Sequence, residues 1–252
     1  MLEKLLSLEL YHFLFVFARI GAALMTMPVF SSGYFPRKIR LWVALAITAA
    51  VTPLLAAEMP AVPTTAMELG RILILETVVG VFFGLGPYIL LTAVDLIGTN
   101  AAMATSFSNA TVLDPQSKIQ STVLTSFLTL CAVMLIVTTN LHHVMLGAVL
   151  DSYRVFPVGN PLPMEDFSAT SAKALGLAFN YGFRIGAPFV LMIVLLYSSM
   201  GVMSRLMPQL NIIFVVMPAQ VYLGLALMMV TLPAMMWWFL SFFDDNLALL
   251  WG

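Results

Sequence analysis

LMPQLNIIFVVMPAQVYLGLALMMVTLPAMMWWFLSFF, residues 206 to 243, runs for 38 positions without a charged side chain. Coiled as an α-helix at about 1.5 Å per residue, such a run outlasts the roughly 30 Å hydrocarbon core of a bilayer. A second run without Asp, Glu, Lys or Arg, Ile119 to Leu150, is 32 residues long. A chain that repeatedly removes charge over such lengths is built to meet lipid or the interior of a large membrane assembly.

Composition agrees. Hydrophobic residues make up 61% of the 252 and charged residues 9%, against roughly 25% charged in soluble domains, and the mean hydropathy is +1.00. No hydrophilic block is long enough for a separate soluble domain, so the sequence predicts a single membrane unit over 1–252. The 11 basic residues are scattered among 12 acidic ones, giving a net charge of -1. That pattern makes no phosphate-binding stripe, and no nucleic-acid partner is expected. Cys131 is the lone cysteine, which excludes an internal disulfide and a thiolate metal cluster. His142 and His143 are adjacent and so point about 100° apart on a helix, while His12 is remote in sequence. There is no Gly-x-Ser-x-Gly elbow, phosphate-cradling glycine loop or His-Glu-x-x-His motif. The expectation is a protein that is not an enzyme and needs neither cofactor nor metal.

The spans read as a first helix near 9–30 ending about Pro28, and a second near 39–57 bent or ended by Pro53. A third runs near 69–97, where Gly84, Gly86 and Pro87 interrupt the apolar pattern; its 29 residues exceed an ordinary bilayer crossing, so a broken or strongly tilted helix is expected. Residues 98–118 are the least lipid-like internal segment and predict irregular backbone enclosed by protein or water. A fourth helix follows over 119–149, then a proline-rich link over 151–171 and a fifth helix over 173–203. The last region, 211–243, is divided by Pro218 and Pro233 into either a bent helix or a hairpin. Six hydrophobic elements make an all-α, polytopic membrane-type protein. Glu3, Glu9 and Arg19 fit a retained first helix better than a cleaved signal. Five basic residues against four in alternating links favour a periplasmic N-terminus.

Arg19, Arg71, Glu76, Asp95, Arg184 and Arg205 stand within or beside these spans. An ion at helix centre costs about 2.5 to 3.5 kcal/mol on insertion scales, so structural pairing or snorkelling to headgroups is expected, with Glu76 pairing an arginine. A direct role in ion movement would need several deep acids, whereas Glu76 stands alone. Gly80-x-x-x-Gly84 and Gly182-x-x-x-Gly186 each set two glycines on one helix face, marking close helix packing within the chain or a subunit interface. The 18 methionines fill irregular apolar contacts or form a deformable constriction.

Three blocks carry a resemblance: Ala18-Arg19-Ile20-Gly21-Ala22 with Met27-Pro28-Val29-Phe30, Phe35-Pro36-Arg37-Lys38-Ile39-Arg40-Leu41, and Ser204-Arg205-Leu206-Met207-Pro208-Gln209-Leu210-Asn211. They resemble the FliR family of flagellar export-gate proteins. The third block is an unusual polar interruption between apolar helices. The family pattern falls here on Arg19, Pro28, Pro36, Arg37, Arg205, Pro208, Gln209 and Asn211. The resemblance implies a core subunit of the flagellar type III secretion export gate, joined to FliP and FliQ in a helical ring, with FlhA and FlhB as further partners. Unfolded flagellar subunits would be the cargo. It also implies a FliP-like part over 1–172 and a FliQ-like C-terminal hairpin over 173–252. The location implied is the bacterial inner membrane at the flagellar basal body, with the assembled gate raised toward the periplasm and membrane lipid around it. By the same resemblance, the loop over 103–114 is similar to a gate plug, with Met103, Phe107, Asn109, Val112 and Leu113 as its obstruction. After Pro218, where relatives often carry a Leu-Lys-Ile type sequence, this chain has Ala219-Gln220-Val221. The alternatives are the homologous gate subunit of a virulence type III system, a self-contained secondary transporter using Glu76, and a scaffold that nucleates gate assembly.

Overall fold

The computed structural model describes residues 2–33, 35–55, 59–60, 63, 65–107, 122–161, 163–207, 209 and 212–251, with side chains at all of these except 2–8, 212–215, 249 and 251. Among the described residues there is no strand, and eight α-helices follow one another: α1 (Leu2–Thr26), α2 (Pro28–Ser31), α3 (Arg37–Leu55), α4 (Ala66–Ala104), α5 (Val123–Thr138), α6 (Leu141–Val155), α7 (Met164–Leu206) and α8 (Ile212–Trp251). Five are long and apolar enough to cross a membrane, and the bent pair α5–α6 has the composition of a broken span or a re-entrant loop. The all-α, polytopic expectation is met.

Local chemistry explains several boundaries. Met27 is extended (φ -63°, ψ 134°) and Pro28 opens α2, a position where its missing N–H costs nothing. Pro36 offers its carbonyl to Ile39 N at 3.0 Å and Arg40 N at 3.2 Å, starting α3. Thr65 Oγ1 accepts from Glu68 N at 3.3 Å, the N-cap arrangement that satisfies one free donor of the first turn of α4.

Two expectations need correction and two alternatives are resolved. Of the broken and strongly tilted readings of the third region, the break at Gly84, Gly86 and Pro87 does not occur: α4 continues for 39 residues to Ala104, so that 98–104 is helix and not irregular backbone. A proline removes one backbone hydrogen bond, whereas a break in an apolar setting exposes several unpaired groups. For the same reason α8 runs through Pro218 and Pro233 as one helix of 40 residues, which decides between the two alternatives for the last region in favour of a helix over a hairpin. The predicted single helix over 119–149 is instead bent by 70° between α5 and α6. Asn140 sits at the bend in the left-handed region (φ 61°, ψ 13°), which asparagine tolerates better than most residues.

Contacts group the chain into two compact units, the first being Met1–Ile89, Ile136–Ala174 and Leu247–Gly252, the second Leu90–Leu135 and Leu175–Asn246. In the first, Phe15, Val16, Met27, Val79 and Met145 are wholly buried. In the second, Leu90, Val94, Leu128, Phe189 and Phe239 are wholly buried. There α7 and α8 lie antiparallel. Tyr181 stacks on Phe242 with centroids 4.1 Å apart, while Met192 Cε stands 3.3 Å from where a Cβ on Gly224 would be. Higher numbers on α7 therefore meet lower numbers on α8.

Candidate functional site

The C-terminal end of α4 in the second unit leads into the expected plug region. Thr105 is fully buried, and its hydroxyl turns back to the Ala101 and Ala102 carbonyls at 3.0 and 3.2 Å. A Cβ on Gly224 of α8 would collide with Thr105, so this glycine lets α8 approach the end of α4. Ser106 adopts φ 60°, which turns the chain out of the helix. Its hydroxyl donates to Gln220 Oε1, and Gln220 is buried on α8. Two adjacent side chains, Thr105 and Ser106, thus hold the point where the chain leaves α4. Beside them Met103 and Phe107 are 49% and 37% exposed, which leaves both free to meet another surface. Asn109, Val112 and Leu113, expected in the same plug, lie outside the described residues.

The small-residue pairs are both occupied within their own units. Gly80 and Gly84 face α1: a Cβ on Gly80 would strike the Arg19 carbonyl, and one on Gly84 would lie 2.6 Å from the Ala23 carbonyl. Gly182 and Gly186 face α4: added Cβ atoms would stand 2.8 Å from the Ala93 carbonyl and 2.6 Å from Asn100 Nδ2. Gly98 likewise admits α5, with Thr125 Cα 2.6 Å from the Cβ it lacks. One helical turn away, Thr129 Oγ1 donates to Asp95 Oδ1 at 2.7 Å. Asp95 sits inside α4, away from its ends, and of pairing and snorkelling it shows the first, held by this hydroxyl.

In the first unit Arg19 is the centre of a buried polar knot. It and Glu76 are each 1% exposed, and Arg19 Nε donates to Glu76 Oε2 at 2.7 Å. Its other nitrogens donate to Ser152 Oγ at 3.0 Å and to the Phe156 carbonyl at 2.8 Å. The guanidinium carbon lies 4.0 Å over the Tyr153 ring, a favourable cation–π placement. Ser152 passes its own proton to the Val149 carbonyl at 2.6 Å, so its oxygen is free to accept from Arg19. Phe156 can offer a carbonyl because α6 ends beside it, and terminal carbonyls lack partners inside the helix. The knot ties α1, α4 and α6 together. Expecting Glu76 to pair with an arginine was correct, whereas Ser152, Tyr153 and Phe156 were not foreseen. The signal available for them was the number of donors that a buried guanidinium must satisfy.

Of the other motif residues, Pro28 is buried at the start of α2, Pro36 and Arg37 are exposed at the start of α3, and Arg205 is exposed in the last turn of α7. Gln209 is exposed between α7 and α8. Pro208 and Asn211 lie outside the described residues. Among the described residues no three His, Cys, Asp or Glu side chains gather as a metal site.

Fold and site together define a helical, polytopic membrane protein whose closest helix contacts are fixed by glycines and buried polar side chains. Residues 10–246 match the family described as bacterial export proteins, family 1, and the chain belongs to that family. It is similar to the flagellar biosynthetic protein FliR of Caulobacter vibrioides, 31% identical over 92% of this chain and 93% of the relative. It is also similar to those of Bacillus subtilis, 29% identical over 86% of this chain and 85% of the relative, and of Escherichia coli, 28% identical over 85% and 82%.

Proposed function

We propose that this chain is a core subunit of the flagellar type III secretion export gate. With FliP and FliQ it would form the passage through which unfolded flagellar subunits leave the cell. The observation that carries this reading is the match to bacterial export proteins over residues 10–246, together with relatives whose names place them in flagellar biosynthesis. The same names favour the flagellar branch over the virulence branch.

In this reading the chain conducts and does not catalyse. Residues 1–172 are the FliP-like part and 173–252 the FliQ-like hairpin, curled into a share of the helical ring. The assembly sits in the inner membrane at the basal body, raised toward the periplasm, with FlhA and FlhB beside it. The segment that begins at Met103 and Phe107 obstructs the passage, and Thr105, Ser106 and Gln220 hold its root. An apolar obstruction with flexible thioether and aromatic side chains would limit ion leakage while yielding to a passing polypeptide. A self-contained carrier would need Glu76 as a water-accessible acid, and at 1% exposure beside Arg19 it does not serve as one.

Deletion of the gene tests the proposal. Export of hook and filament subunits into the medium should cease and return on expression of the intact chain, which should co-purify with FliP and FliQ. Continued export in the deletion strain contradicts the reading.

A further inference from the structure

Within the second unit, Tyr181, Arg184, Trp238, Ser241, Asp245 and Asn246 line one cavity of about 560 Å³ between α7 and α8. Its level relative to the apolar runs can be read from the sequence. From Ile185 to Ser204, α7 carries 20 uncharged residues, about 30 Å of helix and the thickness of a hydrocarbon core. On α8 the charge-free run ends at Phe243, just before Asp244 and Asp245. The Tyr181–Phe242 stack sets these two boundaries side by side. A tyrosine, a tryptophan, a cation and a carboxylate therefore meet where both apolar runs stop, the composition of a membrane–water interface.

The polar groups of this cavity are not used up. Among the described residues neither Arg184 nor Asp245 has an ion-pair partner within 4.0 Å, and the enclosed Tyr181 hydroxyl meets no hydrogen-bond partner. Asn246 Nδ2 donates to the Phe242 carbonyl at 2.7 Å and Ser241 Oγ to the Trp237 carbonyl at 3.3 Å, which leaves both oxygens as acceptors. The cavity thus offers donors for a phosphate, from Arg184 and Tyr181, and acceptors for an ammonium, from Asp245, Asn246 and Ser241, beside the Trp238 ring. Leu191 and Leu195, 64% and 68% exposed, continue the helical stripe of Arg184 toward the α7–α8 turn and provide an apolar track for acyl chains. We propose that this cavity binds one phospholipid whose headgroup carries both a phosphate and a primary ammonium. The carboxylate of Asp245 selects it over purely anionic lipids.

The test uses the full chain, purified in mild detergent and stripped of lipid, then titrated with phosphatidylethanolamine or phosphatidylglycerol while native mass spectrometry counts bound lipid. One phosphatidylethanolamine should bind about tenfold more tightly than phosphatidylglycerol. Arg184→Gln should weaken both lipids, Asp245→Asn should abolish the preference, and Arg205→Gln, outside the cavity, should change neither. Equal binding of the two lipids to the unaltered chain, or a preference that survives Asp245→Asn, would overturn the proposal. So would soluble phosphoethanolamine binding as tightly as the lipid, which would make a free headgroup compound the occupant. If Arg184→Gln does not fold, the unaltered chain and Asp245→Asn still decide.

Discussion

A guanidinium buried among apolar side chains must find an acceptor for each nitrogen or remain a costly unpaired charge, and Arg19 finds three, on α4, on α6 and on Phe156 just past the end of α6. Arg19→Ala should therefore lower stability by about 3 to 5 kcal/mol by leaving Glu76 buried and unpaired. Arg19→Met combined with Glu76→Leu should recover most of that loss, as thermal unfolding in detergent would show. At the other site, Gln220→Leu removes the acceptor of the Ser106 hydroxyl, a loss of about 1 kcal/mol. With the subunit's level unchanged, greater ion leakage across the membrane of growing cells is the expected result. Leakage equal to that of the unaltered chain would separate Gln220 from gate closure. Arg19 stood out in the sequence because it is a lone charge in an apolar run. Its partners did not, since Ser152 and Phe156 are 133 and 137 positions away and are ordinary residue types in and just after a helix. Gln220 was visible as a departure from relatives, but its contact with Ser106 needed the fold.

Spans were legible because absence of charge over 17 or more residues has few other physical meanings. Breaks were not, because Gly and Pro end helices readily in water, where freed backbone groups find partners, and far less readily in an apolar setting. In an apolar setting α4 and α8 keep their helices through Pro87, Pro218 and Pro233, and the real bend falls at Asn140, where no Gly or Pro marks it. Asn140→Ala should cost about 1 to 2 kcal/mol for the left-handed backbone, and Asn140→Gly much less; comparative melting curves check this. Glycines on helices divide in the same way. Gly84→Ala would strike Thr26 Oγ1 and the Ala23 carbonyl, and overpacking of that kind costs about 1 to 3 kcal/mol. Gly147→Ala on α6 meets nothing within 4 Å and should gain up to about 1 kcal/mol of helix stability. Both Gly-x-x-x-Gly pairs were found by spacing alone, but which helix they admit is a property of the fold.

The exposed surface of the chain argues for company. α7 spans 43 residues, yet 11% of its apolar window is buried within the chain, and at about 64 Å it is roughly twice as long as a bilayer core is thick. Lipid cannot cover all of it, so other subunits are expected to do so. Co-expression with FliP and FliQ should accordingly raise the yield of monodisperse chain in detergent over expression alone. If the chain is a gate subunit as proposed, the segment leaving α4 at Phe107 lies in the path of exported polypeptides. This placement is tested most directly by placing a photoreactive residue at position 107 in cells carrying a stalled export substrate. Crosslinks to the stalled cargo are the predicted result, and crosslinks to neighbouring membrane subunits alone, with assembly intact, would contradict it.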